Sequence, residues 1–229
     1  MPEFDATRLE VKFAIRNTSP RNLHRLFCRI PTKVDLLYPV RKVNSIYFDT
    51  FNFDALESNR EGITDRAKVR YRWYGENDSS GLGALEVKMK RNRETCKLRY
   101  PLCGVSVLEP GRTVSDSLAR RIGTNLPPEG RLWLQSRPFA TIKNAYFRHY
   151  FVGDQGRIRI TVDRNQIAWN VLDTSGLRWG GGIGVPGVII EIKFAPRDAD
   201  YAKWIIGHLG LAPSKHSKYL ASLESIALA

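Results

Sequence analysis

Charge and apolarity alternate with a period of two in stretch after stretch of this chain. Residues 66–75, RAKVRYRWYG, place Arg66, Lys68, Arg70 and Arg72 at every second position, with Ala67, Val69, Tyr71 and Trp73 between them. Successive side chains of a β-strand point to opposite faces, so the stretch reads as a strand with one basic and one apolar face. The pattern returns in LEVKFAI (9–15), ALEVKMKR (84–91), TCKLRYPL (95–102), RIRITVD (157–163) and VIIEIKF (188–194). Further strands are expected at VNSIYFDT (43–50), AYFRHYFV (145–152) and QIAWNVL (166–172), with turns at GENDSSGLG, GDQG and WGGGIGVPG between strand segments. Four helices are expected: one opened by Ser19-Pro20, one over 115–122, one from near Asp198 and one from about Ser217.

One charged face on one strand is usually solvated. Six such faces, with few helices to cover the apolar sides, are better accommodated by a closed wall. If the charged faces point inward and the helices pack outside, the chain is an α+β protein. Its centre is an eight-stranded antiparallel β-barrel around a lumen, with the C-terminal helix near the mouth. No composition shift divides it, so residues 1–229 are read as one domain.

The lumen's contents follow from charge. The chain carries 36 Lys and Arg against 23 Asp and Glu, a formal net charge of +13. Two like charges ~7 Å apart repel by ~2 kcal/mol at an effective dielectric of ~20, so a basic lumen needs carboxylates, solvent or a polyanion. Arginines there fork onto two phosphate oxygens, and lysines act as mobile point charges. Nucleic acid is the competing polyanion, but the basic residues alternate within strands rather than clustering on one helix or loop, so none is expected. Glu10 and Glu191 lie among these cations, either as charge balance or as donors to Mg²⁺ or Mn²⁺.

Other features exclude alternatives. No apolar run reaches the ~18–20 residues of a membrane span. Cys28, Cys96 and Cys103 form no CxxC, which argues against a zinc site or a disulfide framework, and a cytoplasmic chain is expected. His24, His149, His208 and His216 show no ligand spacing, and GGGIGVPG precedes a strand rather than a helix, so it reads as a connection and not a phosphate cradle.

Taken in order, VKFAI, SIYFDT, VRYRWYG, EVKMKR, TCKLRY, AYFRHYF, RIRITVD, IIEIK and SKHSKYL resemble the VTC domain. This is the polyphosphate polymerase module of the vacuolar transporter chaperone complex, within the triphosphate tunnel metalloenzyme (CYTH-like) superfamily. The resemblance implies an eight-stranded tunnel that transfers the γ-phosphate of ATP to a polyphosphate chain, assisted by Mn²⁺ or Mg²⁺. An inorganic or nucleoside triphosphatase, or a non-catalytic polyphosphate-binding module, are the alternatives on the same fold. Carried over by motif, Arg70, Arg72, Lys88, Arg148 and Arg159 are the catalytic cations, and Glu191 is the metal ligand. Lys12, Lys97, Tyr146, Lys193, Lys215, Ser217 and Lys218 bind substrate, the last three from the C-terminal helix at the mouth. Lys68 and Arg66 match no family ligand and are expected nearer the rim. Arg8 replaces the first Glu of the ExExK signature of the hydrolase branch, which favours the VTC branch. Eukaryotic relatives carry a regulatory domain before this module and a membrane segment after it. Neither is expected here, and a membrane partner in trans is left open.

Overall fold

The computed structural model describes residues 8–16, 18–76, 82–92, 94–107, 114–171 and 181–229. The strands are β1 (Leu9–Ile15), β2 (Val34–Asp49), β3 (Arg66–Tyr74), β4 (Gly83–Arg91), β5 (Glu94–Leu102), β6 (Phe139–Gly153), β7 (Ile158–Asn170), β8 (Ile183–Val185) and β9 (Val188–Phe194). They form one antiparallel sheet in the order β1-β9-β7-β6-β2-β3-β4-β5, with β8 paired to β7. The sheet curls into a half-barrel. No ladder joins its ends, β1 and β5, among the described residues. Side chains span the gap instead: Lys88 of β4 meets Glu10 of β1 at 2.7 Å.

The two-residue period sets which face is wet. Val69, Tyr71 and Trp73 of β3 and Leu85 and Val87 of β4 are at most 1% exposed. They pack outward in one core with Leu118 and Ile122 of α3 (Val114–Thr124) and Leu134 of α4 (Pro128–Gln135). A second core joins Phe13, Ile158, Ile160, Ile190 and Ile192 to Leu23 and Leu26 of α1 (Pro20–Phe27) and Ile205 of α5 (Ala199–Leu209). Each apolar face thus lies under helices, and each charged face lines the concave side. Gly83 is needed beside this first core, because a Cβ there would lie 2.4 Å from the Tyr71 ring.

Two helices were not expected from the sequence. These are α2 (Asp54–Arg60) and α4, each of about two turns and neither with a long apolar stripe to announce it. The segments 157–163 and 166–172, expected as separate strands, run together in the single strand β7, with Leu172 outside the described residues. Its register against β6 shifts between Ala145 and Phe147, and Asn165 has a φ of 52°. That irregularity reverses the alternation read from sequence. Strand β2 begins nine residues before the expected Val43, through a section holding Pro39 with register shifts on either side of Tyr38. Proline has no N–H to offer the ladder, and this hid the strand. Part of the GGGIGVPG connection pairs with β7 as β8, and its first residue, Gly180, lies outside the described residues.

Helix α6 (Lys218–Ala227) does not lie on the outer surface. Ser217 caps it, and the helix crosses one end of the concave face with Tyr219 stacked on Tyr47 at 4.9 Å. Its anchor is Asp49, fully buried at the end of β2. The carboxylate accepts hydrogen bonds from the Thr50, Ala55 and Leu56 amides, the last two at the start of α2, and from the Tyr219 hydroxyl at 2.8 Å. One side chain therefore joins β2, α2 and α6. Asp49→Ala strands a buried hydroxyl and buried amides, and is expected to lower stability by about 3 kcal/mol in denaturant unfolding. Surface substitutions of α2 should cost far less.

Candidate functional site

The lumen is built from three anionic nodes, each gripped by several cations. At the first, Arg70 donates through Nε and Nη2 to Glu86 Oε2, at 2.9 and 2.7 Å. Arg72 Nη1 lies 3.4 Å from the same oxygen, and Lys97 Nζ lies 3.0 Å from Oε1. Burial alone would raise the Glu86 carboxyl, but Arg72, Arg70 and Lys97 outweigh it and hold it well below the usual range. Arg72 also donates to Ser45 Oγ and to the Tyr146 hydroxyl, both at 3.3 Å.

At the second node, Arg148 forks onto Asp163, Nε to Oδ1 at 2.6 Å and Nη2 to Oδ2 at 2.7 Å. Lys218 reaches in from α6 to the same carboxylate at 2.6 Å. Both cations also lie over the Tyr146 ring, at 5.3 and 4.8 Å. Burial would raise the Asp163 carboxyl, yet Lys218 and Arg148 bring it down to about 2.

The third node is a carboxylate pair. Glu191 of β9 meets Lys193 at 2.8 Å and Lys12 at 3.9 Å, while Glu10 of β1 meets Lys88 at 2.7 Å and Lys12 at 3.1 Å. Burial and the neighbouring Glu191 both push Glu10 up, and Lys12 and Lys88 reverse this to leave it lowered. Glu191, against the same burial, is held well below the usual range by Lys193, Lys12 and Arg148.

Among the described residues no group of three or more His, Cys, Asp or Glu is placed to hold a metal ion. The third node nevertheless has the donor chemistry of a hard divalent cation. It offers two adjacent carboxylates, and the hydroxyl of Thr161, the cross-strand neighbour of Glu191, is buried without a partner. Mg²⁺ and Mn²⁺ favour one or two carboxylates, with phosphate oxygens and water filling the octahedron. The residues fit such an ion only together with a phosphate ligand.

Most of the expected residues converge here. Lys12, Arg70, Arg72, Lys88, Lys97, Tyr146, Arg148, Glu191, Lys193 and Lys218 occupy the three nodes, and Ser217 stands at the α6 end. Arg159 is on the lumen-facing parity of β7 but is exposed beyond the nodes, and Lys215 is exposed on the segment entering α6. Arg66 turns to the Ile63 carbonyl at the rim, as expected. Lys68 does not stay at the rim. The C-terminal helix folds over it, and its ammonium donates to Ser217 Oγ at 2.9 Å. Burial, then Lys12, Arg66, Lys88 and Arg70, lower it to about 7.

Sequence reasoning missed Glu86 and Asp163 as organising anions, although each sits at an alternating position of its strand and was legible as lumen-facing. It also missed His216. Burial, Lys218 and Lys12 bring that imidazole down to about 4, and its Nε2 is buried without a partner. An apolar hollow of about 380 Å³ between α1 and strands β6 and β7, lined by His24, Cys28, His149 and Phe151, lies on the outer face and contains none of these charges.

The second node makes a pH prediction. Asp163 is depressed in the fold, so its pairing stabilises the protein above the ordinary carboxylate range and is lost as pH falls from about 4 towards 2. A shift of about two units corresponds to about 2–3 kcal/mol. Asp163→Asn is expected to cost at least that at pH 7, with the gap from wild type narrowing below pH 4 in denaturant midpoints.

None of the curated proteins matches the chain. Among solved structures, a Vibrio parahaemolyticus protein provisionally described as an adenylate cyclase superposes with a TM-score of 0.49 at 12% identity, covering 93% of this chain and 96% of its own. A Hippeastrum protein provisionally described as an adenylyl cyclase, with a dominant triphosphatase activity, gives 0.49 at 14% identity, over 94% and 96%. A Pyrococcus horikoshii protein gives 0.47 at 11% identity, over 96% and 98%. The family model of the VTC domain matches residues 7–227, nearly the whole sequence. The chain is therefore a member of the VTC domain family.

Proposed function

We propose that this VTC-domain chain is a triphosphate tunnel enzyme that transfers the γ-phosphate of ATP to the end of a polyphosphate chain. The observation that carries the reading is the charge arrangement of the lumen. Four carboxylates are surrounded by a larger number of lysines and arginines, and several of those cations share one carboxylate oxygen. Such cations are placed to exchange a carboxylate contact for a phosphate oxygen without leaving the wall.

Phosphoryl transfer asks a protein mainly for positioning and charge neutralisation. Arg70, Arg72, Lys88 and Lys97 converge from β3, β4 and β5, and Arg148 and Lys193 from β6 and β9, so a linear triphosphate between them is held from several sides. Arg159 adds a cation at the open end. Lys218 and Lys215 at the α6 end orient the acceptor chain, whose terminal phosphate oxygen attacks the γ-phosphorus as its bond to the β–γ bridging oxygen breaks and ADP leaves. Glu191, with Glu10, would hold a Mn²⁺ or Mg²⁺ ion, which when bound neutralises charge on bridging phosphate oxygens. Among the described residues no helix is long and apolar enough to cross a membrane.

The direct test is incubation with ATP, Mn²⁺ and a polyphosphate primer, resolving chain length and released phosphate. Chain growth is the expected result, release of free phosphate alone would make it a triphosphatase, and neither product would make it a binding module. Arg70→Ala and Arg159→Ala are each expected to weaken tripolyphosphate binding at least ~10-fold. Glu191→Gln should bind normally and lose ~100-fold or more in metal-dependent turnover. Wild-type turnover in that variant would remove the metal assignment.

Lys68 supplies an independent readout. Lowered to about 7 and surrounded by cations, it is largely neutral at pH 8, and a bound polyanion raises its proton affinity. Tripolyphosphate binding at pH 8 should therefore take up close to one proton, seen as a dependence of the calorimetric heat on buffer ionisation enthalpy. Lys68→Met should reduce that uptake.

A further inference from the structure

The two ends of the lumen differ in chemistry. At the α6 end the aromatic rings are covered, with Tyr47 stacked under Tyr219 and both at most 4% exposed. At the opposite end, rings of the same concave face are left open. Tyr38 and Tyr74 are 45% and 46% exposed, and Tyr150 is half-buried beside them. Tyr38 and Tyr150 are cross-strand neighbours whose rings meet edge to face, with centroids 5.7 Å apart. The exposed Arg41 lies over both, its guanidinium carbon 4.9 Å from the Tyr38 centroid and 5.8 Å from that of Tyr150.

This cluster directly adjoins the phosphate-binding wall. The Arg148 guanidinium carbon is 6.0 Å from the Tyr150 ring and 5.3 Å from that of Tyr146, and Arg148 is the cross-strand neighbour of Arg41. Burial, reinforced by Tyr74 and Tyr146 and only partly offset by Arg148 and Arg41, pushes the Tyr150 hydroxyl up to about 12, so the ring stays a neutral phenol. Planar rings and a planar guanidinium form a stacking surface that takes any nucleobase by its π-face.

We propose that Tyr38, Arg41 and Tyr150, with Tyr74 at their edge, form a nucleobase platform at the mouth opposite α6. Such a platform makes the lumen a site for nucleoside triphosphates rather than for inorganic tripolyphosphate alone. It rests on the reading of the lumen as a triphosphate site. The triphosphate runs inward past Arg148, and the base stays at the mouth on the tyrosines. An open stacking surface reads no base edge by hydrogen bonds, so ATP and GTP should bind within a few-fold of one another.

The test compares ATP with inorganic tripolyphosphate by titration calorimetry on the full chain without divalent metal, so that neither turns over. Tyr38→Ala and Arg41→Lys are expected to weaken ATP about five- to tenfold and tripolyphosphate less than twofold. Lysine keeps the charge of Arg41 but not its plane. Tyr38→Phe keeps the ring and should behave as wild type, and as Tyr38 is largely exposed none of these changes threatens the fold. Equal weakening of both ligands, or an unchanged ATP affinity, would overturn the platform while leaving the triphosphate lumen intact. Failure of wild type to bind either ligand would overturn the lumen reading and the platform together.

Discussion

Electrostatic balance inside the curled sheet is the constraint on which the rest depends. The apolar faces are secured by ordinary burial under α1, α3, α4 and α5, but the concave face gathers cations close enough to repel one another by ~2 kcal/mol per pair. Glu86, Asp163, Glu10 and Glu191 divide that field into nodes, each holding cations from more than one element of the fold. Glu10 goes further. By pairing with Lys88 it links β1 to β4 across the gap where the ladder does not close. The carboxylates are thus part of the wall, and the same contacts that hold the wall keep the arginine and lysine heads pointed at the lumen axis.

Partition between balance and surplus explains how one lumen is both stable and receptive. Arg148 has its fork fully engaged by Asp163, whereas Arg72 divides its donors among Glu86, Ser45 and Tyr146 at 3.3–3.4 Å. Long, divided contacts are the ones an incoming phosphate displaces at least cost. Lys68 marks the far limit of this surplus. Burial and the neighbouring Lys12, Arg66, Lys88 and Arg70 favour its neutral form. Binding of a polyanion and protonation of Lys68 are then two expressions of the same field.

How far the sequence foretold this depended on regularity. Strand β3 was legible to the residue because nothing interrupts its alternation: Val69, Tyr71 and Trp73 face the outer core, and Arg70 and Arg72 face Glu86. Strands β2 and β7 were only half legible, since Pro39 and the irregularity at Asn165 break the period that the reading relies on. Helices α2 and α4 are too short to show a 3.6-residue period, and α2 is secured by Asp49, a residue from the preceding strand. Local sequence does not carry that information. The cations that converge on the three nodes were all named from the sequence, while two of the four carboxylates that organise them were not. A lone Glu or Asp amid basic residues looks like charge balance until the partner strands are known, and Lys68 looked like a rim residue until α6 was placed over it.

Tertiary closure by α6 also gives the lumen its polarity. One end is crossed by α6, anchored through Tyr219 to Asp49 and through Ser222 to Asn144, with Lys218 brought inward to Asp163 and Ser217 set against Lys68. Towards the other end Tyr38 and Tyr74 are exposed. A symmetric polyanion such as tripolyphosphate has no reason to prefer one direction in such a passage, but a nucleotide has two unlike ends. On the proposed reading, stacking fixes the base at the aromatic mouth, so the γ-phosphate points towards α6 and only there meets an acceptor. Polymerase and hydrolase chemistry then differ in what stands at the α6 end. An acceptor phosphate held by Lys218 and Lys215 extends a chain, and water in the same place releases phosphate. The residues around the triphosphate are common to both outcomes, so the choice lies with the helix that closes the lumen rather than with the wall that lines it.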